Sequence, residues 1–567
     1  MYFSPYLRWV GAAAVAALTI SHASVSAAPS RCEQVLSRFG DKLIDATCAD
    51  SADLTTANLA TTPANNAIAT LPPLAFTPQA DRDTIAPDPP HRTPIVGPVP
   101  GVQINAHIAE DPQRQGRVLI RLPDNWNGRL VVAGASGTRS EFNGDFAWSD
   151  YLVQKGYAYV AQNKGTLNLR ATTAADPTAC RLNPASGKDT FVHFYDDDPG
   201  MPFTRWAPFM AEATRLGRAA VQIHYGRDAQ YTYAVGTSNG GYQVRRAVET
   251  YPELFDGGVD WEGTFVDADM PNLLSTLPPA ILNYPAYAAS GFDPDSKAAK
   301  NIRAAGYPPD LITTQGDPAT SLWRVHYLQF WEVTMCQWQK RLDPAYDTYG
   351  AGLGNYVYVN RLSVSNVGES LADFRTTGRI RRPLITVAGT MDALLPIDAN
   401  ARAYARRVAA VAREEAGKAS PAYRLYEVQN GNHIETFKMT FPQLEFIQPH
   451  ALQAFDLLVG AIENQAELPP SQCIPRGGTI AKNPARPGHC TNLLAHDGCS
   501  DCRGYPGFAR RREHLRAASV YEGLGDATNE RWNAPGFWER RHAPVRPCPH
   551  TVACGFRGRI GADGDAR

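Results

Sequence analysis

Residues 102–108, Val-Gln-Ile-Asn-Ala-His-Ile, and 116–122 alternate apolar and polar side chains with the period of half-buried strands. Residues 129–134 and 157–161 are instead almost continuously apolar, as strands covered on both faces are. Between them 148–155 has helical character, which makes a strand–helix–strand unit. An amphipathic stretch, 206–224, leads into the apolar run 231–235; Gly236-Thr237-Ser238-Asn239-Gly240-Gly241 then turns sharply into a helix over 242–250 that stops before Pro252. A strand at 257–261 follows. After a long interruption come a buried strand at 383–389, a helix from about 398 to 416, a strand at 423–428 and an amphipathic helix over 449–464. Alternation of this kind predicts an α/β fold, a doubly wound and mostly parallel sheet with helices on both faces.

The interruption, 262–382, has irregular periodicity and many aromatics, among them Tyr284, Tyr287, Trp323, Tyr327, Phe330, Trp331 and Trp338. It reads as an inserted lid domain, whose aromatics either form its own core or meet a substrate. The first 28 residues read as a signal peptide: an n-region ending in Arg8, an apolar stretch over 10–20, and small residues through Ala27 and Ala28. A membrane anchor is the alternative, but the apolar run falls well short of the roughly 20 residues of a bilayer span. Residues 29–101, with Ala, Thr and Pro dominant from Thr55, read as an extended N-terminal segment. The sheet-forming core then occupies 102–261 and 383–494, and 495–567 is an irregular Arg, Gly and Cys-rich tail.

A formal net charge of −1 leaves no basic excess for phosphates, which argues against nucleic acid as a partner. No second long apolar run follows the leader, so no membrane partner is expected and the mature protein is placed outside the cytoplasm, secreted or periplasmic. Cys32, Cys48, Cys180, Cys336, Cys473 and Cys490 form an even set in the body of an exported chain and are disulfide candidates. Pairing neighbours gives Cys32 with Cys48 and Cys473 with Cys490, leaving Cys180 for Cys336, although other pairings stay open. In the tail, Cys499-x-x-Cys502 and Cys548-Pro549-His550 with Cys554 allow zinc, but the long gap and the exported context favour disulfides or disorder, and no metal is expected.

Gly236-x-Ser238-x-Gly240, placed straight after an apolar strand and straight before a helix, is a nucleophile-elbow pattern. A serine hydroxyl needs a base within hydrogen-bond reach and an acid to orient that base. The chain order Ser, acid, His is met by Asp392, just beyond strand 383–389, and His433, in the loop after strand 423–428. Asp398 competes as the acid but suits a helix N-cap. His450 and His326 compete as bases; the first opens a helix and the second lies among the lid aromatics. Donors for an oxyanion are expected from the N–H of Asn239 and from the small-residue loop 135–138, at Ser136 or Gly137. No cofactor is required.

Residues 122–130, Leu-Pro-Asp-Asn-Trp-Asn-Gly-Arg-Leu, with Ser238-Asn239-Gly240-Gly241, Tyr251-Pro252-Glu253-Leu254-Phe255-Asp256-Gly257 and Ala372-Asp373-Phe374 ahead of Gly389-Thr390-Met391-Asp392, resemble the tannase and feruloyl esterase family. The resemblance spans roughly 117–460 and implies the α/β-hydrolase fold, with an exported serine esterase acting on phenolic or related aromatic esters. That family's cysteines flanking the nucleophile and the histidine are replaced here by Thr237 and Ile434, and no calcium loop is evident; Asp293-Pro294-Asp295 is too short. The expected partner is a small or oligomeric ester. The alternatives are a hydrolase of hydroxyalkanoate oligomers, an exported serine peptidase of the same fold, and a non-catalytic hydrolase-like binding protein.

Overall fold

The structure, a computed structural model, describes residues 30–63, Arg82 and 92–495, apart from 112–113, 138–139, 177–178, 182–184, 186–190, 196–202, 313–319, 347–354 and 417–419. The leader and the tail cysteines and His550 lie outside the described residues, as does Thr138.

Helix α1 (Arg31–Phe39) starts at a capping box, Ser30 Oγ accepting the Glu33 N–H and the Glu33 carboxylate accepting the Ser30 N–H. There follow β1 (Leu43–Ser51), β2 (Gly101–Ile108), β3 (Arg117–Pro123), β4 (Arg129–Gly134), α2 (Asp150–Gln154) and β5 (Ala158–Gln162). A small antiparallel sheet of β6 (Leu167–Thr172), β7 (Cys180–Arg181) and β8 (Phe191–Tyr195) precedes α3 (Trp206–Tyr225), β9 (Tyr231–Thr237), α4 (Asn239–Thr250) and β10 (Gly257–Trp261). Between β10 and β11 (Leu384–Gly389) lie α5 (Leu273–Ala289), α6 (Lys297–Ala304), α7 (Leu322–His326), α8 (Glu332–Leu342), α9 (Tyr358–Arg361) and α10 (Val367–Phe374). The chain then makes α11 (Ala401–Glu414), β12 (Tyr423–Val428), α12 (Gln448–Asn464) and β13 (Gln472–Ile474).

The large sheet runs β1-β2-β3-β5-β4-β9-β10-β11-β12-β13. Pairing is parallel from β5 through β13 and antiparallel among β1, β2, β3 and β5. This is the α/β-hydrolase fold. Successive residues of one strand feed opposite cores: Leu130 and Val132 pack with α3 and α4, while Val131 and Ala133 pack with α2 and α12. Burial on both faces is why these strands read as continuous apolar runs rather than alternating ones, each large side chain contributing roughly 1.5–3 kcal/mol.

Three expectations are corrected by the fold. Residues 29–101 are not extended throughout, because α1 and β1 are regular and β1 pairs antiparallel with β2; in β1 only Leu43 is fully buried, the rest being half-buried or exposed, so the alternation is faint. Asp398 caps nothing: α11 begins at Ala401 with Asn400 at its N-cap, and Asp398 pairs with Arg402 at 2.9 Å instead. The elbow helix starts at Asn239, directly after Ser238, not at Tyr242.

The described residues of 262–382 form mostly helices, and the aromatics Tyr284, Tyr287, Trp323, Trp331 and Trp338 are buried in a shared core. That core also holds Met391, Ala393 and Leu395 beyond β11 and Phe441 and Leu444 beyond β12, and Trp331 Nε1 donates to the Ala393 carbonyl at 2.7 Å. The helical insertion therefore packs on the loops that carry Asp392 and follow His433. Disulfides Cys32–Cys48, Cys180–Cys336 and Cys473–Cys490 join α1 to β1, β7 to α8, and β13 to the segment after it.

Candidate active site

Ser238 sits between β9 and α4 with φ +60°, a left-handed conformation that non-glycine residues adopt only where the surroundings impose it. Packing around the turn supplies the constraint. A Cβ at Gly236 would stand 2.4 Å from the Gly240 carbonyl oxygen, and one at Gly240 would stand 2.5 Å from that of Gly134. Both glycines are thus required by backbone approach, and β4 is drawn against the elbow. The N–H of Ser238 donates to the Trp261 carbonyl at 2.9 Å, tying the elbow to the end of β10.

The structure brings Asp392 and His433 to this serine from the ends of two further parallel strands. His433 Nε2 lies 3.0 Å from Ser238 Oγ, and Nδ1 lies 2.9 Å from Asp392 Oδ2. The other carboxylate oxygen, Oδ1, accepts the N–H groups of Leu394 at 2.8 Å and Leu395 at 2.7 Å. With Nδ1–H donating to Asp392, Nε2 presents its lone pair to the hydroxyl, the tautomer a general base needs. His326 makes a different contact, its Nδ1 bonding the Leu322 carbonyl at 2.9 Å, and burial lowers its pKa to about 4, so it stays neutral. His450 is buried on α12, where desolvation also lowers its pKa.

Asn239, as the first residue of α4, has an N–H with no intrahelical acceptor. Across from it, the Ser136 N–H and hydroxyl both turn to Asn143 Oδ1, at 3.4 and 2.5 Å. The loop is held from behind by Lys164, buried after β5, whose Nζ donates to the carbonyls of Ala135 at 3.3 Å, Gly137 at 2.6 Å, and Ser136. An ammonium on three consecutive carbonyls orients their peptide planes as a unit. Sequence reasoning missed Lys164; the only signal was a lysine two residues after an apolar strand.

It also missed Glu262, which follows β10 and was assigned to the insertion. Its carboxylate is buried, Oε1 accepting the Gly389 N–H at 2.9 Å and Oε2 lying 3.5 Å from His433 Nδ1. Burial first, and the Asp392 charge second, push its pKa well above the ordinary carboxylate range. An acid at the end of the strand beside the elbow strand was the available signal. Glu262, Asp392 and His433 could geometrically hold a metal ion, but His433 already spends Nδ1 on Asp392 and Nε2 on Ser238, so the donor set does not fit one. A surface cleft of about 440 Å³ lined by Arg92, Tyr151, Gln154, Lys155, Pro449 and Leu452 contains none of these residues.

Glu435 anchors the histidine loop, its Oε1 accepting the N–H groups of Gln448 at 2.8 Å and of Ile447. Full burial pushes its pKa from 4.5 up to about 7. Between those values the folded chain keeps a proton that the unfolded chain has released, so the associated stability is complete below about pH 4.5 and is lost as pH rises through about 7. Glu435→Gln, which keeps an acceptor oxygen and has no proton to lose, should therefore gain on the wild type by up to about 3 kcal/mol between pH 4 and pH 8. Denaturant midpoints measured across that range check the sign; parallel curves for the two proteins would contradict it.

A sequence profile described as 3HB-oligomer hydrolase (3HBOH) matches residues 340–493, a window that holds Asp392 and His433 but not Ser238. The chain is 40% identical over 111 residues to a D-(-)-3-hydroxybutyrate oligomer hydrolase of Burkholderia cenocepacia (strain HI2424), covering 18% of this chain and 15% of the relative. It is 30% identical over 145 residues to a mono(2-hydroxyethyl) terephthalate hydrolase of Piscinibacter sakaiensis, covering 24% of this chain and 22% of that protein. These matches span less than a quarter of the length of either relative. Among solved structures, feruloyl esterase B from Aspergillus oryzae superposes with a TM-score of 0.43 at 13% identity, over 75% of this chain and 87% of the other. The sequence-level similarities are thus to ester hydrolases, each over a limited part of the chain.

Proposed function

We propose that this protein is an exported serine hydrolase that cleaves carboxylic esters through an acyl-enzyme. The observation that carries the reading is the continuous hydrogen-bonded line Ser238 Oγ, His433 Nε2, His433 Nδ1, Asp392 Oδ2. In this reading Ser238 Oγ attacks the ester carbonyl as its proton passes to His433 Nε2, and Asp392 steadies the imidazolium. Collapse of the tetrahedral intermediate expels the alcohol, which takes that proton. Water, deprotonated by the same nitrogen, then releases the acid. The oxyanion is received by the N–H of Asn239 and, since Ser136 is turned onto Asn143, by that of Gly137.

For the substrate we favour oligomers of a short hydroxyacid, because the similarity to 3-hydroxybutyrate oligomer hydrolases covers the segment bearing the acid and base. A second reading, small aromatic esters, rests on the partly buried Tyr327, Phe330 and Phe437 beside the insertion core and on the terephthalate-ester relative. Export is supported by three disulfides, and among the described residues no helix is long and apolar enough to cross a membrane. The test is a panel of 3-hydroxybutyrate dimer and trimer, mono(2-hydroxyethyl) terephthalate, methyl ferulate, methyl gallate and a peptide amide. Highest kcat/KM on the hydroxybutyrate oligomers is expected. Turnover confined to aromatic esters would replace the substrate assignment, and turnover of the amide alone would overturn the esterase reading.

A further inference from the structure

His433 faces two carboxylates on one ring nitrogen. Asp392 Oδ2 stands 2.9 Å from Nδ1 and Glu262 Oε2 stands 3.5 Å from the same atom. Glu262 is placed there by its backbone: φ is +53°, and its N–H donates to the Val387 carbonyl at 2.8 Å. Its Oε1 is satisfied by the Gly389 N–H, whereas Oε2 is fully buried and makes no hydrogen bond of good geometry, the Trp261 indole beside the carboxylate giving it only weak support. A purely structural residue would need only the first of these oxygens. The oxygen left without a well-formed hydrogen bond stands 3.5 Å from the imidazole Nδ1.

Two carboxylates this close in a dry site do not both ionise. Burial, then Asp392, then Glu435 disfavour the Glu262 anion, while Asp392 has two backbone N–H groups and the imidazole N–H to stabilise its charge. The geometry thus leaves Asp392 holding the ring nitrogen, with the Glu262 oxygen beside it.

We propose that Glu262 is a second acid for the catalytic histidine, a positioning residue that accepts the Nδ1–H in place of Asp392 when the Asp392 carboxylate is removed. The proposal rests on the serine esterase reading above. In the substituted site the Glu262 proton leaves to solvent, its Oε2 takes the hydrogen bond from Nδ1, and Nε2 keeps the lone pair that receives the serine proton. The charged or titratable groups around it are Asp392 beyond β11, His433 and Glu435 beyond β12, and, through its field on Asp392 and His433, the neutral His326 of α7.

The experiment compares Asp392→Asn, Glu262→Gln and the double variant with wild type on p-nitrophenyl butyrate across pH. Glu262→Gln keeps an acceptor for the Gly389 N–H. Asp392→Asn is expected to retain a kcat roughly tenfold or more above that of the double variant, and its residual activity should rise with pH along one ionisation that the double variant lacks. Equal kcat values and matching pH profiles for the two would overturn the proposal. The low-field proton resonance of His433 Nδ1–H in Asp392→Asn alone gives an independent measurement: it should shift along that same ionisation, and a resonance indifferent to pH would also overturn it. Fluorophosphonate labelling of Ser238 separates the two levels, since absence of label in the wild type would sink the esterase reading itself, whereas a labelled serine with equal Asp392 variants sinks only the second acid.

Discussion

Ser238→Ala is expected to lower kcat on any ester substrate by about 10⁵–10⁶-fold, because removing the nucleophile of such a unit costs about as much as removing all its members. KM should change little. The hydroxyl makes one hydrogen bond in the resting site, to His433 Nε2, and the elbow itself is held by backbone contacts from Gly236, Gly240 and Trp261. Alanine must still adopt φ +60°, as serine does, so denaturant stability should stay close to that of the wild type. Steady-state kinetics beside a denaturation curve checks both halves. A variant that keeps more than a hundredth of wild-type kcat while folding normally would show that another group attacks the ester.

Arg121→Met should cost about 3–5 kcal/mol, the range for removing one partner of a buried ion pair. Arg121 on β3 and Asp145 are both inaccessible to solvent; Nη1 donates to Asp145 Oδ1 at 2.7 Å and Nη2 to Oδ2 at 3.0 Å. The same guanidinium also serves Ser149 Oγ at 2.7 Å and Gln103 Oε1 at 2.9 Å. Methionine leaves the Asp145 carboxylate buried without its main partner. Adding Asp145→Leu should recover most of the loss, since the charge that must be desolvated is then gone. Asp145 and Ser149 lie between the Ser136–Asn143 loop and α2, so the single variant should also loosen the loop assigned to the oxyanion. Equilibrium unfolding of the two variants decides this: a single variant within 1 kcal/mol of wild type would contradict the assignment of Arg121 as an anchor.

Much of the parallel sheet was legible because strands β4, β5, β9, β10 and β11 bury both faces and so write themselves as short apolar runs between turn signals. The edge was not. β1 buries only Leu43 fully, and a strand held by backbone hydrogen bonds to one neighbour leaves little trace in side-chain pattern. Asp398 misled for a related reason: an aspartate just ahead of a helix can equally pair with an arginine on that helix, and the choice lies in where the backbone turns. The insertion helices lacked a clear period because their aromatics pack on several sides at once, against each other and against the loops beyond β11 and β12.

What the chain determines locally is the elbow, the order of Ser238, Asp392 and His433, and the cysteine set, for each depends on residue type and on short-range backbone geometry. What only the folded protein decides is which groups share a ring nitrogen. Glu262 and Asp392 are separated along the chain and meet because β10 and β11 are adjacent parallel strands, whose ends place successive loops side by side. Lys164 likewise reaches the carbonyls of 135–137 because β4 and β5 are neighbours. Sequence patterns report the burial of each residue; the convergence of charges at one sheet edge is set by strand order, which no local pattern encodes.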